Sequence, residues 1–143
     1  KYFLQEYDLP IENISTINFN IGAFEVLERV CRSGIPFVFM SEHSCEAGFN
    51  GRPENRSKGI PERIMLAGHN EYTIKFSYLE IIARKNNYNV ARGPFADFIK
   101  YNESDELHYI LKSHSMKDEH EIVRQFIEDI YKYEYILLKR IPI

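Results

Sequence analysis

The sequence predicts a single α+β domain built as a mainly antiparallel sheet with helices packed on one face. Three observations carry this. Apolar residues recur at helical spacing in two segments, residues 21–33 and 115–130, and short strand-like runs separate and follow them. The length, 143 residues, is that of one ordinary domain. The composition, 44% hydrophobic and 27% charged with ten Phe and ten Tyr, supplies a core without disulfides or metals. One domain therefore spans residues 1–143, and because Lys1 rather than Met opens the chain, it can be part of a longer protein.

Residues 1–20 read as a short strand and a loop. Ile21–Ser33 reads as a helix, with Phe24, Leu27, Val30 and Cys31 on one face, Asn20 as cap and Gly34 as terminator. Pro36–Met40 is a short apolar run with the character of a buried strand. From Glu42 to Gly59 the chain is polar and broken by Gly48, Gly51 and Pro53, a long loop of the kind that often carries function. Pro61–Leu66 can form a turn of helix. Tyr72, Ile74 and Phe76 alternate with polar residues at the strand period, and Tyr78–Arg84 can extend that strand or turn helical. Lys85–Asn89 is a turn, Val90–Tyr101 a strand, and Leu107–Lys112 a strand or helix. Ser115 and Asp118 open a helix whose apolar face is Ile122, Val123, Phe126, Ile127 and Ile130, and Tyr135–Ile141 closes the chain as a strand.

A net charge of −3, with Lys and Arg spread evenly, gives no clear signal for nucleic acid and no push toward a membrane surface. No apolar run approaches the ~20 residues of a membrane span, and no signal-peptide pattern opens the chain. Cys31 and Cys45 are too few for a disulfide scaffold and read as reduced, which fits a cytoplasmic protein. The sequons at Asn13, Asn55 and Asn102 then read as chance.

His43 and His69 stand where strand ends meet loops, a usual place for ligands, although each alone also reads as a surface or capping histidine. His108, His114 and His120 share no face and read as solvated. Cys45 lies two residues from His43, so a cysteine–histidine nucleophile pair oriented by Asp97 is chemically possible; a plain loop cysteine is the simpler reading. Cys31 belongs to the core. Arg52 and Arg56, with Lys58 and Arg63, could grip a phosphate or carboxylate, though Glu54 and Glu62 dilute their charge.

In order along the chain, several segments resemble the 6-pyruvoyl-tetrahydropterin synthase and 6-carboxy-tetrahydropterin synthase family. These are Phe37–His43, Leu66-Ala67-Gly68-His69-Asn70, Gly93–Phe98, Glu119–Ile130 and Tyr135–Arg140. The resemblance covers about residues 37–140 and leaves the N-terminal 35 residues without a counterpart. It implies the tunnelling fold (T-fold), in which two helices lie on one face of an antiparallel sheet and subunits close into a barrel, and hence a homo-oligomer. It implies zinc held by His43 and His69. The site is incomplete, because Ala67 stands in place of a zinc histidine and two histidines do not make a catalytic site. No cysteine matches the family's nucleophile, with Glu62 the nearest polar candidate, and Arg140 replaces the glutamate that reads the pterin. The implied protein is a diverged pterin-synthase-like domain, enzymatic or binding a small molecule. Alternatives are a protein-interaction domain (inhibitor, immunity protein or module) and a cysteine-dependent hydrolase using Cys45.

Overall fold

The computed structural model describes residues 1–11, 18–47, 59–66, 68–100, 104–112 and 117–142. Its elements in chain order are α1 (Tyr2–Tyr7), α2 (Ile21–Arg32), β1 (Phe37–His43), β2 (Arg63–Leu66), β3 (His69–Tyr72), α3 (Phe76–Lys85), β4 (Tyr88–Pro94), α4 (Phe95–Phe98), α5 (Asp105–Lys112), α6 (Asp118–Lys132) and β5 (Tyr133–Arg140). The predicted α+β class is what the chain adopts. A three-stranded antiparallel sheet has the order β1-β5-β4, and β2 and β3 form a separate hairpin. Among the described residues no helix is long and apolar enough to cross a membrane.

The centre of the fold is β5, which alternates sharply. Glu134, Ile136 and Leu138 are buried, the last two completely, while Leu137 between them is exposed. The buried face packs under α2 and α3 through Phe24, Leu27, Phe76, Leu79 and Ile82, with Val38, Met40 and Val90 of the flanking strands joining the cluster. Each such fully buried side chain stabilises the fold by roughly 1.5–3 kcal/mol. Tyr88 is buried whole, and its hydroxyl donates to the Ile35 carbonyl at 2.6 Å. The opposite face carries Phe37, Phe39, Tyr135 and Leu137, and α4 leans on it through Phe98, whose ring centroid lies 4.7 Å from that of Phe39. A smaller cluster joins Ala96 of α4 to Ile127 and Ile130 of α6.

Several local expectations are corrected. Residues 2–7 are helical rather than a strand, because Phe3, Leu4 and Tyr7 form a helical stripe against the core. The Tyr7 hydroxyl donates to Glu28 of α2 at 2.5 Å. Pro36–Met40 is half of an edge strand rather than a buried one, and Phe37 is 61% exposed. Residues 63–66 form a strand, since Arg63 to Leu66 pair with Tyr72 to His69 across a turn where Gly68 takes φ 93°. The alternation at residues 72–76 stops at a single bridge between Ser44 and Ile74. From Phe76 onward helix wins, because Phe76, Leu79, Ile82 and Ala83 all bury along one helical stripe. The strand beginning at Tyr88 ends at Pro94, short of Tyr101, and residues 105–112 are helical. Asn20 caps α2 in position only: its side chain makes no cap bond, and its Oδ1 is buried without a partner. The expected helix start at Ser115 lies outside the described residues, as do Asn13, Asn55 and Asn102. The Asn-rich turn forms as expected, with Asn87 at φ 65°.

Candidate metal centre and adjoining cleft

The last residue of β1, His43, pairs in register with Tyr133, the first residue of β5. The strand period puts its side chain on the same face as Phe39 and Ser41, away from α2 and α3. Its carbonyl accepts the Ile74 N–H at 2.8 Å, which ties this strand end to the segment following the β2–β3 hairpin. The hairpin brings Glu71 of β3 to the ring: His43 Nδ1 lies 3.4 Å from Glu71 Oε2 and 3.8 Å from Glu42 Oε1. Only 12% of the His43 side chain is exposed, and Nδ1 is buried with no hydrogen-bond partner. One ligand atom from each of Glu42, His43 and Glu71 lies within 4.8 Å of the other two.

His69 meets the same group. Its Nε2 lies 2.9 Å from the other oxygen of Glu71. The two histidines singled out in the sequence are thus brought together through one carboxylate, His43 half-buried and His69 exposed. The hydrogen bond with His69 comes first among the influences that hold Glu71 below the usual carboxylate range; burial comes next and opposes it, and the charges of His69 and His43 add to the lowering. Glu71 is therefore ionised at neutral pH. The Tyr133 ring packs 4.1 Å from that of His43, and burial, then the carboxylates of Glu42, Glu71 and Asp129, raise its hydroxyl pKa. The field here is negative.

Tyr133 has a second role. With Ser41, Phe95, Ile99, Phe126, Asp129 and Ile130 it lines a cleft of about 410 Å³, where α4 and α6 meet the open face of the sheet. The cleft and the His43 cluster therefore share a wall.

The remaining sequence candidates lie elsewhere. Cys45 is buried (4% exposed), and burial pushes its thiol up to about 12, leaving it protonated at neutral pH. Among the described residues the acids within 4 Å of His43 Nδ1 are Glu71 and Glu42, while Asp97, offered as the orienting carboxylate, sits exposed on α4. Glu62 precedes β2, where its backbone N–H donates to Thr73 Oγ1. Arg140 donates to the Gly34 carbonyl at 3.1 Å and clasps the end of α2. It lies seven residues along β5 from Tyr133, roughly 23 Å from the His43 end at ~3.3 Å per residue, so it serves the fold and not this site. Arg52, Arg56, Lys58, Ala67 and His114 lie outside the described residues. His120 is not solvated as expected: its Nδ1 is buried and unpartnered. Cys31 is core, as read.

Beneath His43 lies a polar network that sequence reading did not find. Ser44 donates to the buried carboxylate of Glu134 in a very short hydrogen bond and accepts the N–H groups of Glu46 and Ala47. Arg92 donates to Glu134 at 2.9 Å and to Glu80 of α3 at 2.7 Å, and Glu46 accepts the Ser77 N–H at the start of α3. Burial raises the Glu134 pKa against the lowering effect of Ser44 and Arg92. The network pins the residue after His43 to β4, β5 and α3, which fixes the strand end carrying the ring.

No protein-family model matches this chain, and no significant match appears among the curated proteins or the solved structures, so the site is read from its own geometry.

Proposed function

We propose that this domain binds a divalent transition metal of the zinc class through His43, Glu71 and Glu42, and uses it to hold or transform a small molecule. The single observation that carries the reading is the buried, unpartnered Nδ1 of His43 at 3.4 Å from Glu71 Oε2. A tetrahedral centre with bonds of about 2.0–2.1 Å sets its ligand atoms roughly 3.3–3.4 Å apart, so the gap suits an ion. A neutral imidazole and two carboxylates balance a dication, and three protein ligands leave a position open. His69, bonded to the far oxygen of Glu71, orients that ligand from behind. A metal so held would supply Lewis-acid or hydroxide chemistry when bound. What this shares with the diverged pterin-synthase reading is the metal and the two histidines; pterin recognition has no support at Arg140.

The test is zinc titration of the purified chain by calorimetry, with metal analysis. One ion per chain is expected, and zinc at about 100 times Kd should stabilise the fold by about 2.7 kcal/mol. His43→Ala should abolish stoichiometric binding, while His69→Ala should weaken it about tenfold or more. Zinc uptake that is absent, or unchanged in His43→Ala, refutes the proposal.

A second reading, as a protein-interaction domain, draws on the open sheet face, where Phe37 is 61% and Phe39 46% exposed on edge strand β1. Self-association is what the pterin-synthase likeness implies, and the same exposed face could serve it. Light scattering bears on this reading: concentration-dependent self-association is expected if the partner is a second copy, and a strictly monomeric chain removes self-association from it.

A further inference from the structure

We infer that the cleft beside the metal centre seats the hydrocarbon body of a ligand, an aryl or branched-alkyl group, whose oxygen-bearing end coordinates the metal. The inference rests on the metal reading and names the ligand class of that site. Three observations support it. The first is adjacency: Tyr133 packs 4.1 Å from the His43 ring and also lines the cleft, while Ser41 lies two residues before His43 on the same strand face. A molecule anchored at the metal thus has the cleft as its neighbouring space.

The second is size and character. About 410 Å³ lies within the usual range of small-molecule sites. Phe95, Ile99, Phe126 and Ile130 supply an apolar lining, and polar atoms come from Ser41, Asp129 and the Tyr133 hydroxyl, with Asp129 already engaged by Lys132 at 3.2 Å. The largely apolar lining gains more from covering hydrocarbon than from a nitrogen-rich ring. The third is exposure. Phe126 is 65% and Ile99 42% exposed, and a hydrocarbon body in the cleft would cover both. An ammonium has no lone pair to give a metal, so the coordinating end is a lone-pair donor, here an oxygen such as that of a carboxylate, hydroxamate or carbonyl.

The experiment uses the zinc-loaded full chain and two probes that coordinate zinc identically, benzohydroxamate and acetohydroxamate. Calorimetry gives each Kd, and the same pair measured against free zinc sets the baseline. Benzohydroxamate is expected to bind about tenfold or more tightly than acetohydroxamate, beyond the baseline ratio. Phe126→Ala, at an exposed position that does not endanger the fold, should reduce that preference to threefold or less (roughly the loss of one ring contact) and leave zinc and acetohydroxamate affinities unchanged. Zinc binding with equal affinity for the two probes, or a preference untouched by Phe126→Ala, overturns this inference and leaves the metal reading standing. Failure to bind zinc overturns the metal reading and this inference with it.

Discussion

Replacing Arg92 by Met tests whether the polar network beneath His43 is held by charge. The substitution keeps an apolar stem of similar length and removes the guanidinium. Glu134 then loses its 2.9 Å donor while its side chain stays 6% exposed, and Glu80 loses its 2.7 Å donor but keeps Arg84 at 2.8 Å. The difference decides which carboxylate matters most: Glu80 remains paired with a cation, whereas Glu134 keeps only the Ser44 hydroxyl and has no counter-charge, and Glu46 loses its Arg92 contact at 3.6 Å. Leaving one member of a buried ion pair uncompensated destabilises by about 3–5 kcal/mol, a large share of the ~5–15 kcal/mol of an ordinary domain. Glu134 is held above its ordinary pKa by burial, with Ser44 and Arg92 pulling the other way. A carboxyl raised in the folded state contributes stability that is complete below its unfolded pKa and lost as pH rises through its folded pKa. Removing Arg92 raises that pKa further, so the variant's deficit should be largest at pH 7 and shrink toward pH 5. Urea unfolding followed by circular dichroism at both values measures it. Glu134→Gln placed in the Arg92→Met background should recover most of the loss, because the amide still accepts from Ser44 and carries no charge. A loss under about 1 kcal/mol at pH 7, a loss flat with pH, or no recovery by Glu134→Gln would refute the reasoning.

Two further outcomes follow from local geometry. Burial pushes the Cys45 thiol to about 12 and that of Cys31 to about 11, so native protein at pH 8 should alkylate with iodoacetamide at least about a hundredfold more slowly than protein in urea; labelling of Cys45 at the unfolded rate would show it to be an accessible thiol after all. Gly34 takes φ 75°, and an added Cβ would stand 2.6 Å from Arg140 Nη1, so Gly34→Ala should destabilise by about 1–2 kcal/mol in urea unfolding; an unchanged midpoint would mean that the α2 terminus relaxes freely.

Legibility in the sequence tracked the length and solitude of each periodic segment. Helix α2 and strand β5 could be read because each presents one face to the core over many residues, so Phe24, Leu27 and Cys31, or Ile136 and Leu138, reveal the period unaided. The segment from Tyr72 to Arg84 could not, because strand β3 ends at Tyr72 and helix α3 begins at Phe76, so the alternation of Tyr72, Ile74 and Phe76 spans the join and is carried by no strand beyond the single Ile74 bridge. Residues 63–66 are equally opaque. Four residues hold no period, and what makes them a strand is a partner across the Gly68 turn.

The site divides along the same line. His43 and His69 were visible because strand ends can be found from sequence, and Glu71 was within reach: His69 and Glu71, two apart on β3, share a face. Ser44 and Glu134 were not, being 90 residues apart and joined by the antiparallel register that sets His43 opposite Tyr133. That register also explains why two adjacent residues serve opposite ends. At the last pair of the ladder, the His43 side chain projects to the open face, toward Tyr133 and the carboxylates. The Ser44 side chain turns inward to Glu134 and Arg92. A buried charge network costs stability unless every member is satisfied. Its presence directly behind the His43 ring holds the imidazole still, which the proposed metal role would require.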